Sequence, residues 1–136
     1  MARQITIDDR EYIEIVDKNG TKTGGFMWNP SDFDIIKRAE AVQKKFGDLD
    51  VPASDDPEAL GKMTAPVKEL FDELLNSKGA SEELFKYSNP WSPCADGRFF
   101  CEYVLDQLIH FIENEMNVRI KKSISRVRNY VGKYRK

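Results

Sequence analysis

The chain has 136 residues, of which 40% are hydrophobic and 32% charged, with a formal net charge of −2; these figures fit one soluble globular domain with a core of its own. No stretch approaches the ~18 apolar residues a membrane helix requires, and the opening Met1-Ala2-Arg3-Gln4 is not expected to act as a signal peptide. Two cysteines, Cys94 and Cys101, suit a reducing cytoplasm better than a disulfide-stapled secreted fold.

Residues 4–28 read as strands. Ile5 and Ile7 alternate with polar neighbours, Asp8-Asp9 makes a turn, and Ile13 and Ile15 alternate in a second run. Asp17-Lys18-Asn19-Gly20 is a hairpin signal, because Asn-Gly tolerates the positive φ angles of tight hairpin turns. Thr21 to Phe26 returns as a third strand, weakened by Gly24-Gly25. A meander this small needs helices to lean on.

The pattern changes at Asn29-Pro30-Ser31-Asp32. Asn29 is placed to cap a helix, Pro30 to occupy its first turn, and Asp32 to bond back to the cap. The stripe Phe33, Ile36, Ala39, Val42 (or Gln43) and Phe46 carries this helix to Gly47. After an acidic loop, Asp56-Pro57-Glu58 opens a second helix with the stripe Leu60, Met63, Val67, Leu70, Phe71, Leu74. Pro66 must kink or split it, with Thr64 as a fresh cap. Gly79 suits a helix end, and Ser81 is expected to cap a short helix reaching about Tyr87. Ser88 to Gly97 is a Pro-containing loop. Trp28 and Trp91, each beside an Asn-Pro pair, read as anchors that pin loops to the core.

From Arg98 to Val131 no Gly or Pro interrupts a helical pattern, which fits one long helix or two with a joint near Asn117. Its last part is distinctive. Residues 118–136 hold eight Lys and Arg and no acid, whereas the first 117 hold thirteen basic and twenty-three acidic groups. Ile120, Ile124, Val127, Val131 and Tyr134 are spaced 4, 3, 4 and 3, the seam of a helix that packs on another helix. Arg119, Lys122 and Arg126 lie beside that seam. Two readings stand: the stripe docks on the protein's own core, or it binds a partner or a second copy. The basic body-to-tail contrast favours contact with something, since a disordered basic tail has no reason to keep the rhythm.

Catalytic chemistry is not proposed by any constellation, and no enzyme activity, cofactor or metal is expected. His110 is the only histidine, and it falls in an apolar helix, where a core or boundary position is expected. Two cysteines and one histidine at these spacings match no zinc pattern. Neither Cys94 nor Cys101 has a base proposed by its surroundings. Gly24-Gly25 is not followed by the Lys and helix of a phosphate loop. Asp72 with Glu73 and Glu82 with Glu83 are adjacent on helices and do not face each other as an acid–base pair.

Several elements in order resemble a known family. They are Phe26-Met27-Trp28-Asn29-Pro30-Ser31-Asp32 after a hairpin, Phe71-Asp72-Glu73-Leu74-Leu75, Gly79, Ser81-Glu82-Glu83-Leu84-Phe85, Asn89-Pro90, and the aromatic helix from Phe99. Together with the basic end they are similar to the tail assembly chaperones of long-tailed bacteriophages or prophages of Gram-positive hosts, over Ile5 to Lys136. The Ser88–Gly97 loop, rich in Pro and carrying Trp91 and Cys94, departs from that pattern. The resemblance implies a non-catalytic protein that binds the tape measure protein, keeps it soluble in the host cytoplasm and is absent from the mature virion. It also implies a longer form made by ribosomal frameshifting that recruits the tail tube protein.

The expectation is therefore an α+β, mainly α, single domain over 1–136. A small N-terminal antiparallel β-meander or hairpin (1–28) packs on a bundle of four or five helices, with a helical body over 29–117 and a basic amphipathic helix over 118–136. Partner contact is expected at Ile120, Ile124, Val127, Val131, Tyr134, Arg119, Lys122 and Arg126. A homo-oligomer is expected, because the opposite charges of body and tail attract between copies. A structural tail-completion or head–tail joining protein is the alternative function. A small nucleic-acid-binding protein ranks behind it: Tyr130 and Tyr134 beside the basic groups suit stacking, but the acidic body repels a polyanion.

Overall fold

In the computed structural model the described residues are 2–49 and 57–134, with side chains described as far as Lys122. Two strands lead, β1 (Glu11–Val16) and β2 (Lys22–Trp28). Five helices follow: α1 (Asp34–Gly47), α2 (Pro57–Gly61), α3 (Thr64–Leu75), α4 (Ala80–Leu84) and α5 (Phe100–Tyr134). The architecture is α+β and mainly α.

β1 and β2 pair antiparallel, Glu11 opposite Trp28 and Val16 opposite Lys22. The turn between them is built by Asp17. Its carboxylate accepts the N–H groups of Asn19 (2.8 Å) and Thr21 (3.0 Å), and its carbonyl accepts the Gly20 N–H at 3.0 Å. Of Asn19 and Gly20, only Gly20 takes positive φ, at 80°. The turn is thus a type I turn followed by a left-handed glycine, with a register irregularity at Ile15/Val16, rather than a two-residue turn with both centres left-handed. The first strand of the expected meander, over Ile5 and Ile7, is not formed. Ile5 and Ile7 lie in irregular chain, 85% and 89% exposed. Their alternation is compatible with a strand, but among the described residues no partner strand pairs with them. Gly24-Gly25 is accommodated inside β2. The Tyr12 ring lies over Gly25, where an added Cβ would come within 2.5 Å of it.

The first helix starts later than its Asn-Pro signal. Asn29 spends its side chain on a turn of its own, Oδ1 accepting the Ser31 N–H at 3.2 Å, with the Asp32 N–H on the Asn29 carbonyl at 3.4 Å. Asp32 then turns forward rather than back and accepts the Asp34 N–H at 3.0 Å. With α1 beginning at Asp34, its inner face becomes Ile35, Ala39, Val42 and Phe46. Phe33 and Ile36, expected inside, are 68% and 56% exposed.

Pro66 splits the next helical stretch into α2 and α3; Thr64 is the first residue of α3 and not its cap, a position held by Met63 with no side-chain cap bond. α3 is capped at its end by Asn76, left-handed at φ 48°, rather than by Gly79, which is left-handed as well (φ 85°). Gly79 instead precedes α4, and Ser81 lies inside that helix, buried. The donor that Ser81 exposes is its own N–H, held by the Asp72 carboxylate at 2.8 Å. A second Asn-Pro turn repeats the first: Asn89 Oδ1 accepts the Trp91 N–H (2.9 Å) and the Ser92 N–H donates to the Asn89 carbonyl (3.0 Å). Pro30 and Pro90 are both fully buried. The loop after Pro90 then feeds α5, whose Phe100 and Cys101 N–H groups donate to the Ser92 and Pro90 carbonyls, each at 2.8 Å. These satisfy donors that a helix start leaves without intrahelical partners.

The core is a run of aromatic contacts that joins every layer. Trp28, 1% exposed, meets Phe26 at 5.7 Å and stacks on Phe111 of α5 at 5.5 Å. Phe71 meets Phe85 edge-on at 5.0 Å, and Phe85 meets Phe100 at 6.0 Å. Trp91 packs between Phe99 (5.0 Å) and Phe46 (6.3 Å). Each such pair contributes about 0.5–1.5 kcal/mol beyond area burial. Both tryptophans thus pin their Asn-Pro turns to the core. Among the described residues neither indole N–H has an acceptor, which costs each burial about 1–3 kcal/mol.

Candidate functional site

α5 is one helix of 35 residues, with no break at Asn117, and so is about 52 Å long. Its first half faces the body through Cys101, Val104, Leu108 and Met116, all buried, with Phe100, Leu105, Phe111 and Ile112 packed beside them. Past Met116 the next residue held by the body is Arg119. Its guanidinium donates to Glu11 of β1 at 2.7 Å and to Ser31 of the first Asn-Pro turn at 2.9 Å, and lies 3.4 Å from Glu115. Arg119, expected to contact a partner, is thus drawn into the protein's own hairpin.

Ile120, the first residue of the apolar stripe, is 37% exposed, and Val118 is 51% exposed. At 3.6 residues per turn, Ile120 lies about 100–160° around the helix from Cys101, Val104 and Leu108 but only about 40° from Met116, one turn earlier. The stripe therefore begins at the edge of the body-facing side of α5, just past its last buried residue. Ile124, Val127, Val131 and Tyr134 follow Ile120 in register by sequence, as does Arg126 beside them; their side chains lie outside the described residues. Lys121 and Lys122 are exposed, and among the described residues no acid lies within ion-pair distance of either.

The remaining reactive groups are dispersed. His110 is on the exposed side of α5 rather than in the core, since its helix turns that position away from Leu108 and Phe111. Cys94 and Cys101 are both free thiols. Cys101 is wholly buried, and desolvation pushes its thiol up to about 12. Asp32 is held below the usual carboxylate range by the Asp34 N–H and by Arg38 at 3.1 Å. An open cavity of about 270 Å³ is lined by Thr64, Lys68, Phe85, Lys86, Tyr87 and Asn89, among others. Its two lysines are already engaged, Lys68 with Glu82 at 3.4 Å and Lys86 with Glu83 at 3.6 Å. Among the described residues no cluster of His, Cys, Asp and Glu could hold a metal ion, and no helix is long and apolar enough to cross a membrane.

What sequence reasoning missed is the Glu11–Ser31–Arg119 contact. Its partners lie 108 and 88 residues apart, and no local pattern marks such a pair. No protein-family model matches the chain, and neither a curated protein nor a solved structure matches it.

Proposed function

We propose that this protein is a non-catalytic assembly chaperone of a bacteriophage tail, which holds the tape measure protein soluble in the cytoplasm of the bacterial host and leaves before the particle is complete. The reading rests on the sequence resemblance and on one structural observation. α5 continues as a helix to Tyr134, well beyond its last buried residue, Met116, and its apolar stripe starts at Ile120, which is 37% exposed. A helix carrying an apolar stripe is suited to cover long apolar helical surface on another chain. Modest contacts repeated along a long client allow later release more readily than one very tight interface.

Co-expression tests it. The chain, tagged, is produced together with the tape measure protein of the same genome. Soluble tape measure that co-purifies supports the reading. Insoluble tape measure beside a well-folded tagged chain removes it.

A further inference from the structure

The hairpin has one covered edge and one open edge. The outer edge of β2 lies against α4 and the residues after it. There the Thr23 carbonyl accepts from Lys86 at 3.4 Å, and a Cβ added to Gly24 would lie 3.4 Å from the Glu83 carboxylate. On β1 the Ile15 carbonyl turns towards β2, where it accepts the Thr23 hydroxyl at 3.3 Å. The Ile13 carbonyl also faces β2, at 2.8 Å from the place of a Gly25 Cβ. Backbone groups of a strand alternate in direction, so the N–H and C=O of Tyr12 and Glu14 point to the opposite edge. Among the described residues the sheet is β1 and β2 alone, and no strand lies on that edge. β1 carries no Lys or Pro to blunt it, and its one irregularity is at the turn end, at Ile15/Val16.

The same chain holds a strand without a sheet. Arg3-Gln4-Ile5-Thr6-Ile7 alternates and is rich in β-branched residues, and both isoleucines are almost fully exposed. The root of this segment is tied so that it leaves the hairpin. The Asp9 carboxylate accepts the Asn29 side-chain amide at 3.2 and 3.3 Å, and Asn29 follows Trp28, the partner of Glu11. The chain thus runs on past the end of the hairpin instead of turning back along β1. Asp8 braces it there, taking the Arg10 N–H at 3.0 Å and its guanidinium at 2.9 Å.

We propose that residues 3–7 pair antiparallel with the open edge of β1 in a second copy, and that the exchange is reciprocal, giving a two-fold dimer. Each copy supplies one segment and one edge, so the contact closes. The register sets Ile7 opposite Ile13 and Ile5 opposite Ile15. It extends the inner face, where Ile13 and Ile15 are only partly buried at the margin of the core. A slip of one residue would turn both isoleucines to the outer face. In this register Thr6 stands opposite Glu14 and exchanges both backbone hydrogen bonds with it. Charge agrees: residues 2–7 bring one cation and no acid to a strand whose charged residues are Glu11 and Glu14. Pairing β1 with another β1 would set those two glutamates against the same pair, which disfavours that occupant. The exchange requires no residue of α5, so it stands or falls apart from the chaperone reading.

The test is sedimentation equilibrium of the full chain over a wide concentration range, with amide hydrogen exchange read on the same samples. A reversible dimer is expected, in which the Thr6 and Glu14 amides become protected as concentration rises. Thr6→Pro removes one donor of that pair from a stretch outside every strand and helix. It should weaken the dimer at least about tenfold and leave the circular dichroism and thermal melt of the monomer unchanged. Thr6→Val keeps the donor and should keep the dimer. A free peptide of residues 2–8 in excess should dissociate the wild-type dimer.

A chain that stays monomeric up to millimolar concentration overturns the proposal. So does a dimer indifferent to both Thr6→Pro and the peptide. Protection of Thr6 and Glu14 in a monomer, independent of concentration, would mean that the segment folds back on its own β1, and overturns it as well.

Discussion

Arg119 and Glu11 are 108 residues apart in sequence and 2.7 Å apart in space, the guanidinium of the last helix closing on the carboxylate that begins the first strand. Ser31 shares the same guanidinium at 2.9 Å. Both ends of the ion pair are partly solvated, so its energy is that of a surface pair. Arg119→Met is expected to cost about 0.5–1 kcal/mol in urea denaturation, and the difference should shrink at high salt. A loss that ignores salt would show that the stem's packing, not its charge, holds the hairpin.

Asn89 serves two elements at once, accepting from the Trp91 N–H and donating to Thr64 Oγ1 at 3.2 Å. Asn89→Ala should lower stability by about 1 kcal/mol. Asn89→Asp keeps the acceptor and loses the donor, so it should fall between the two. Chemical denaturation midpoints at constant slope decide this; an Asp variant as weak as Ala would place the energy in the Thr64 bond.

Gly25→Ala should destabilise the hairpin by about 1–3 kcal/mol, since the new methyl meets a well-packed surface. Two neighbours oppose it: the Tyr12 ring at 2.5 Å and the Ile13 carbonyl oxygen at 2.8 Å. The ring can swing out into water and the carbonyl cannot. Adding Tyr12→Ala should therefore recover only part of the loss in thermal melts, and full recovery would mean that the backbone gives way more easily than the distance suggests.

Burial of Cys101 has a pH signature. The folded thiol titrates near 12, above the unfolded reference of 9.0. Its contribution is whole below pH 9 and is lost as pH rises towards 12, because the unfolded chain gives up the proton first. Wild type should lose more stability than Cys101→Ala across that window. At pH 8 a thiol reagent should label Cys94, which is part-exposed, well before Cys101 in the native protein. Equal labelling rates would contradict the packing of α5.

Ile124→Asp with Val127→Asp separates the two readings of the stripe. The expected outcome is an unchanged unfolding midpoint and lost co-purification of the partner. A drop of about 3 kcal/mol or more, the size of a core lesion, would place the stripe inside the protein instead.

Features set by neighbouring residues were legible in the sequence. Asn19-Gly20 announced the hairpin and Pro66 the split between α2 and α3, because each acts on the backbone beside it. Features that depend on competition were not. Asn29 and Asp32 are both able to cap a helix; Asn29 is used up in its own turn, so the onset moves to Asp34 and the stripe shifts from Phe33 and Ile36 to Ile35. Ile5 and Ile7 have the alternation of a strand but lack a neighbour to pair with. In the candidate site the spacing of the stripe was plain. Where the core contacts of α5 end was not, because that depends on Met116 being the last buried residue of the helix.

The stacking of Trp28 on Phe111 also has a consequence for synthesis. A ribosome releases the hairpin early, and the hairpin's turn chemistry is complete within its own residues. Its inner face is covered only in part once α4 has formed, and Trp28 has no stacking partner from α5 until the chain has grown beyond Phe111, while the far end is not fastened until Arg119 emerges. Until then Trp28 leaves part of its apolar surface exposed on the nascent chain. The assembly of this protein is therefore gated by its last helix, and a message cut short before that helix would yield a sticky fragment rather than a smaller version of the fold.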